Sequence, residues 1–305
     1  FTYDFMLSSA LSAQIKTRLP QISLILITII WGGSFLTVQY GLNFSSPLIF
    51  VGLRFAAATF AVSVLSWKYL KGLNRHEVFA GFCIGAVIAI GYGTQTIGLQ
   101  SISSSESAFL TALYVPLVPI FMWLCFKHRP HLMTWLGVLF AFVGLVFLTG
   151  NGFGAIQLNF GQIITLIGSI AIAFEIILIS YFAKTVNLRR VTVLQLAFAS
   201  LICFMIAPLN GEISLPQFEW PLIATLCGLG LASAVIQMVM NWAQRMVDPS
   251  QAAIIYAGEP LWAALIGRIA GERLAPLALI GGMLVVIGVI VSEWRPKFLK
   301  RKFEK

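Results

Sequence analysis

Ten stretches of about 20 apolar residues, separated by short polar or basic connectors, leave this chain few ways to fold. A helix needs ~20 apolar residues to cross the hydrocarbon layer of a bilayer. The windows run roughly over 20–41, 47–67, 77–99, 104–126, 132–150, 160–183, 190–208, 219–244, 249–268 and 274–293. Only 10% of the 305 residues are charged, against about 25% in a soluble domain. Such a surface cannot mostly face water, and no stretch is long or polar enough to make a separate soluble domain.

Charge in the connectors alternates along the chain. Of the 20 Lys and Arg residues, 17 fall on one side if every window crosses: Lys16 and Arg18, Lys68 to Arg75, Lys127 and Arg129, Lys184 to Arg190, Arg245, and the tail from Arg295 to Lys305. The other side holds only Arg268 and Arg273, and Arg54 lies within a window. The excess of Lys and Arg on cytoplasmic loops then puts both termini in the cytoplasm. An odd number of spans would scramble the alternation. The net charge of +9 therefore sets topology, with the basic tail positioned to touch anionic lipid, and nucleic acid is excluded as a partner.

Other signals narrow the class further. Cys83, Cys125, Cys203 and Cys227 all sit in apolar runs without a CxxC pair, so they read as buried small hydrophobes and not as disulfides or metal ligands. The first twenty residues lack an apolar core ending in a small-residue cleavage site; no signal peptide is read there, and the first span is expected to direct insertion. The three histidines, 76, 128 and 131, lie in connectors, and no HExxH or GxSxG motif occurs. Gly150 to Gly154 lacks the strand and the Lys-Ser/Thr of a phosphate loop. No cofactor, no metal and no enzymatic activity are expected.

The chain repeats itself. Residues 107–117, SAFLTALYVPL, align with 251–261, QAAIIYAGEPL, at a shift of 144. The same shift carries Gln100 onto Gln244, Gly137 onto Gly281 and Gly144 onto Gly288 without a gap. Five helices per copy is an odd number, so the second copy must enter the membrane with opposite polarity. The expected fold is all-α and integral to the membrane, with ten transmembrane helices as two inverted five-helix repeats. The expected divisions are a cytoplasmic tail (1–19), the two repeats (20–150 and 151–294), and a basic cytoplasmic tail (295–305). Inverted repeats recur in secondary transporters, where one bundle rocks against its mate around a central site.

In detail the chain resembles the drug/metabolite transporter superfamily, in its bacterial ten-helix EamA-type branch. The resemblance rests on Trp31-Gly32 with Phe35, Pro47 with Arg54-Phe55, the run Ser103 to Ala108, Pro116, and Gly137/Gly144. The second copy adds the run Asp248 to Ala253, Glu259-Pro260, Gly271-Glu272-Arg273-Leu274, and Gly281/Gly288. It covers about residues 20 to 293. It implies a multi-pass protein of the bacterial inner membrane that exports or carries amino acids, other metabolites or drugs. Many relatives carry a Gly-Glu-x-Leu turn in both halves, whereas the first half here reads Lys127-His128-Arg129-Pro130, and only the second copy has Glu before its Pro. A mechanism built on symmetric carboxylates does not carry over.

Two acids stand out by depth. Glu259 lies about ten residues into the ninth window, and Pro260 removes a backbone donor and can kink the helix. Helical spacing puts Ala252, Tyr256, Glu259 and Ala263 on one face. An intramembrane carboxylate faces a cavity or a partner, so Glu259 reads as a substrate or proton contact, with a structural helix cap as the alternative. Glu175, on a face with Gly168 and Ala171, is the second candidate for proton coupling; a neutral interhelical hydrogen bond is its alternative. Arg54 is assigned a structural or gating role, paired with Glu106 or with helix-end carbonyls, rather than snorkelling or binding an acid. Pro116 and Pro260 share that role.

The eighth window carries a polar stripe of Ser233, Gln237, Asn241 and Gln244, and the fourth carries Ser104, Ser107, Thr111 and Tyr114. Two such stripes in repeat-related regions point to a pathway. Trp31, Tyr92 and Tyr256 are candidates for the walls of an aromatic cage, while Trp67, Trp123 and Trp294 read as interface anchors. The substrate site is thus expected from Trp31, Tyr92, Thr111, Tyr114, Gln237, Tyr256 and Glu259.

A secondary carrier of a small molecule fits best, with export of an amino acid or related metabolite expected and multidrug export on the same fold as the alternative. A channel or receptor ranks lower, because a channel repeats pore-lining charge around an axis. The partners are the substrate and the lipid bilayer, and the oligomeric state is open between monomer and homodimer. The topology makes a direct prediction: a membrane-impermeant reagent added to intact cells should label a cysteine placed in the 210–218 loop. Labelling only after the cytoplasm is exposed would contradict it.

Overall fold

The computed structural model describes residues 2–127, 132–148 and 158–293. His128, Arg129, His131, the Gly150–Gly154 segment, Trp294 and the basic tail lie outside the described residues. Among the described residues the chain is helical and without strands. Its helices are α1 (Thr2–Gly41), α2 (Pro47–Ser66), α3 (Arg75–Gly98), α4 (Ser104–Thr111), α5 (Tyr114–Phe126), α6 (Leu132–Leu148), α7 (Phe160–Phe182), α8 (Leu188–Ile206), α9 (Trp220–Ala243), α10 (Pro249–Tyr256), α11 (Glu259–Ile269) and α12 (Pro276–Glu293). Two 3-10 turns, Trp67–Tyr69 and Ala207–Asn210, extend α2 and α8. Helix α1 runs back through the expected tail and continues across Pro20.

Among the described residues, eight helical stretches of 21 to 24 residues are long and apolar enough to cross a membrane. They match eight of the ten expected windows. The fifth and tenth windows hold shorter apolar helices, α6 with 17 residues and the stretch Leu279–Gly288 within α12. The chain is a multi-pass membrane protein.

Two windows differ from expectation in a way that matters. The fourth breaks between α4 and α5, and the ninth between α10 and α11, so the face drawn through Tyr256 and Glu259 is not one continuous helix. Proline accounts for both breaks, because its ring clashes with the carbonyl four residues back. For Pro260 that residue is Tyr256, where α10 ends, and for Pro116 it is Ala112, one past the end of α4. The backbone stays paired by shortening its reach: Leu113 N bonds Leu110 O at 3.2 Å, and Gly258 N bonds Ile255 O at 3.2 Å. In lipid this tightening is the available remedy, since no water replaces the missing partner.

The first and last halves of the chain interlock and do not sit as separate blocks. Helix α3 packs on α7 and α8, α2 on α8 and α9, α1 on α9 and α11, and α6 on α12. Glycine permits two of these approaches. A Cβ on Gly85 would lie 2.6 Å from Gln195 O on α8, and one on Gly144 would lie 2.6 Å from Gly281 O on α12. Among the described residues the largest core cluster runs through the same seam, from Leu24, Trp31 and Phe55 to Met240, Ala253 and Tyr256.

Helix starts are tied across the bundle by carboxylates. Glu272, in the α11–α12 loop, accepts from Ser104 N (3.0 Å), Ser104 Oγ (2.7 Å), Ser105 N (3.2 Å) and Ser105 Oγ (2.5 Å). With Ser103 Oγ accepting from Glu106 N at 3.2 Å, the first amides of α4 all have partners. Glu212 accepts from Leu48 N and Ile49 N at the start of α2. At the other end of the bundle, buried Glu77 caps its own helix through Asn74 and accepts from Asn187 N before α8. Arg190 bridges to Glu77 at 3.3 Å, and its remaining donors reach Tyr69 O, Lys71 O and Gly72 O.

Burial alone would raise the Glu272 carboxyl, but the hydrogen bonds from Ser105 and Ser104 together outweigh it and hold it below its ordinary value. A depressed carboxyl stabilises the fold above the unfolded value of ~4.3, and this stabilisation is lost as pH falls through the lower folded value. Between about pH 6 and 3 the detergent-solubilised protein should therefore lose melting temperature faster than its Glu272→Gln variant. Parallel curves would remove the latch from the account.

Candidate functional site

The polar side chains that the apolar windows carry converge at mid-bundle. Glu175 on α7 is 0% exposed and Glu259, the first residue of α11, is 1% exposed. A carboxylate taken out of water without partners is expensive, so their surroundings are informative. Gln237 Nε2 on α9 donates to Glu175 Oε1 at 2.8 Å, and Tyr114 Oη at the start of α5 donates to Glu259 Oε2 at 3.3 Å. The second oxygen of each acid, Glu175 Oε2 and Glu259 Oε1, is buried without a hydrogen-bond partner.

A string of amides extends from Glu175. Gln195 Nε2 on α8 donates to Gln237 Oε1 at 2.7 Å. Asn241 Nδ2 reaches Gln195 Oε1 at 3.2 Å and Thr192 Oγ1 at 3.1 Å. These residues are 0 to 1% exposed. Interhelical bonds of this kind are worth about 0.6 kcal/mol each, so the string orders the α7–α8–α9 contact more than it stabilises it. Gln195 escaped the sequence reading, although a lone amide in an apolar helix is the same depth signal that exposed Glu175.

The aromatic residues form a wall beside the acids. Trp31 on α1 stacks on Tyr92 of α3 at 6.2 Å and 7°, and meets Tyr256 edge-on at 5.6 Å. Tyr92 also meets Phe55 edge-on and lies within electrostatic reach of Glu175, Arg54 and Glu259. Of the three expected wall residues, Trp31 thus touches both of the others. Tyr256 Oη accepts from Gln244 Nε2 at 2.8 Å, and Gln244 Oε1 accepts from Ser180 Oγ at 2.9 Å.

Arg54 neither snorkels nor pairs with Glu106. It is 2% exposed, its Nε donates to Ser233 Oγ at 2.7 Å, and its guanidinium lies 5.4 Å from the Tyr92 ring centre and 5.7 Å from that of Phe55. Glu106 instead accepts from Gln162 Nε2 at the start of α7, at 2.6 Å. Depth along a helix was legible; the neighbour across the seam was not. Cation–ring contacts gain strength where water is excluded, so Phe55 and Tyr92 are suited to holding the charge.

Every residue of the two expected stripes is buried, but among the described residues no hydrogen bond joins one stripe to the other. Ser233 holds Arg54, Gln237 and Asn241 belong to the amide string, and Gln244 holds Tyr256. In the fourth window, Ser104 holds Glu272, Thr111 Oγ1 accepts from Gln95 Nε2 at 3.0 Å, Tyr114 holds Glu259, and Ser107 Oγ has no partner. Buried Pro116 and Pro260 stand at the two breaks.

Two surface recesses among the described residues bear on the site. One of about 550 Å³ lies along a single face of α1, lined by Leu36, Thr37, Gln39, Tyr40 and Asn43; it is shallow and remote from the acids. The other, about 240 Å³, lies between the ends of α5, α7 and α9 and includes Ser180 and Gln244. Its lining residue Gln244 is hydrogen-bonded to Tyr256 of the aromatic wall. Among the described residues no group of His, Cys, Asp or Glu could hold a metal ion.

Comparison with known proteins agrees with this architecture. The profile of the EamA-like transporter family matches twice, over residues 19–150 and 159–294. A protein of Archaeoglobus fulgidus named "Uncharacterized transporter" is 31% identical over 286 residues, covering 92% of this chain and 88% of that one. A protein of Escherichia coli strain K12 named "Probable amino-acid metabolite efflux pump" is 24% identical, covering 89% and 95%. A solved structure described as "Crystal structure of protein" superposes with a TM-score of 0.67 at 16% identity, covering 95% of this chain and 99% of its own, which shows the shared fold.

Proposed function

The chain belongs to the EamA-like transporter family, and from that premise we propose that it exports amino acids or related small metabolites across a bacterial inner membrane by alternating access. The observation that carries the reading is the sealed cluster at mid-bundle. Two carboxylates, each with an unpartnered oxygen, sit beside an aromatic wall and next to the breaks in both discontinuous windows. Unwound backbone at a repeat interface is where secondary transporters hold their substrates. An acid-lined, aromatic site suits an ammonium group, and the Escherichia coli relative's name places amino-acid metabolites within reach of this fold.

Trp31, Tyr92, Thr111, Tyr114, Gln237, Tyr256 and Glu259 are assigned to the substrate. Glu175 and Glu259 are assigned to proton coupling, with Arg54, Pro116 and Pro260 as gating elements. The two matches of one family profile, and two eight-residue helices each followed by a two-residue break, support ten spans as two five-helix repeats over 20–150 and 151–294. The excess of basic connectors on one side supports both termini in the cytoplasm. Because the halves interlock, the moving parts of this proposal are the segments hinged at the breaks and not the repeats as rigid blocks.

Purified protein in vesicles preloaded with unlabelled amino acids should accumulate labelled ones by counterflow, and a complete panel without signal would exclude this substrate class. Glu259→Gln keeps the volume and an oxygen that accepts from Tyr114 Oη, but can neither carry charge nor release a proton. Counterflow should then fall about tenfold or more while the elution profile and melting temperature stay near wild type. Wild-type rates from a folded variant would take Glu259 out of the mechanism.

A further inference from the structure

The 240 Å³ recess has its own chemistry. Lys184, Arg245 and Asp248 line it, with Ser180 and Gln244 on its inner side. Among the described residues the ion pair is Arg190 with Glu77, so the three charges around the recess are free of salt bridges. Ser180 and Gln244 are bonded to each other, and Gln244 to Tyr256, whose ring meets Trp31. The recess therefore stops one side chain short of the central cluster, behind a floor of two hydrogen bonds.

We propose that this recess is a loading site for a small zwitterion, from which substrate passes the Gln244–Tyr256 floor to the central site. The proposal rests on the transport reading above. Lys184 and Arg245 take the carboxylate and Asp248 takes the ammonium group. Size favours an amino acid over a drug, because drug-sized ligands occupy pockets of ~300–1,000 Å³. The corresponding helix start in the other half is closed by the chain itself. Helix α4 holds the Glu272 carboxylate on its first amides and hydroxyls. Helix α10 has the same length and the same break after it, but Asp248 makes no side-chain cap bond to it, and it starts at the wall of the recess.

The test uses full-length protein in vesicles carrying Met246→Cys, a recess residue that is 56% exposed. Alkylation at position 246 is followed by peptide mass spectrometry, so native cysteines do not interfere. The probes are a mixture of the standard L-amino acids, the same mixture as methyl esters, and the same mixture N-acetylated. At ~10 times the dissociation constant the free amino acids should slow alkylation about tenfold, whereas the two blocked mixtures should not. Arg245→Gln should abolish the protection and Arg245→Lys should retain it. Equal protection by the esters would overturn the assignment of Lys184 and Arg245. If wild-type vesicles show counterflow of the amino-acid mixture but position 246 stays unprotected, the loading site falls and the transport reading stands. Absence of both signals would overturn both.

Discussion

An amide or carbonyl left unpaired in hydrocarbon costs several kcal/mol, and this one penalty organises the bundle. Within a helix the ladder meets it. At a helix start it cannot, because the first four amides have no partner behind them. Glu77, Glu212 and Glu272 each supply that partner from a distance. Each cap therefore also joins two segments far apart in sequence: Glu272 lies 168 residues from Ser104, and Glu212 lies 164 from Leu48. Capping and tertiary structure are here one set of bonds. Gly267 shows how closely the set is fitted, since a Cβ there would meet both Glu272 and Ser105 Oγ at 2.5 Å.

The central cluster obeys the same rule but leaves it incomplete at chosen atoms. Amide side chains are satisfied by one another from Thr192 through Gln195 and Asn241 to Gln237. The carboxylates are each satisfied on one oxygen only. Arg54 has the rings of Tyr92 and Phe55 and the Ser233 hydroxyl, with no carboxylate in contact. The cation thus lies against the Tyr92 ring and the two acids are bonded to Gln237 and Tyr114, with no bond between that cation and those acids among the described residues.

Much of this was legible from the residues alone, and the rest was not for identifiable reasons. The windows were legible because lipid demands about 20 apolar residues per crossing, and Glu175 and Glu259 stood out as acids at a depth where acids are costly. Pro116 and Pro260 announced a disturbance, yet a proline is equally consistent with a kink, and the full breaks depend on the i−3 bonds that repair them. The contact of Trp31 with Tyr92 and Tyr256 followed from no spacing rule, as the three lie on different helices. Arg54 was expected to pair with Glu106 or with helix-end carbonyls, yet it bonds Ser233 while Glu106 bonds Gln162; partners across the seam are not encoded by periodicity in a nearly all-apolar helix.

The two ends of the bundle are closed by different means, and the difference bears on how it works. At the end bearing Glu212 and Glu272, carboxylates are bonded to backbone amides, and Glu106 with Gln162 adds a further tie between α4 and α7. Opening there means exposing charged hydrogen bonds and freeing helix starts together. At the other end Glu77 and Arg190 clamp α3 to α8, but α5, α7 and α9 diverge around the 240 Å³ recess. Between that recess and the aromatic wall stand only neutral bonds, from Ser180 to Gln244 and from Gln244 to Tyr256. Neutral hydrogen bonds contribute ~0.5–1.5 kcal/mol each and charged ones ~1.5–3 kcal/mol. The inner side of the recess is therefore closed by the weaker kind of bond.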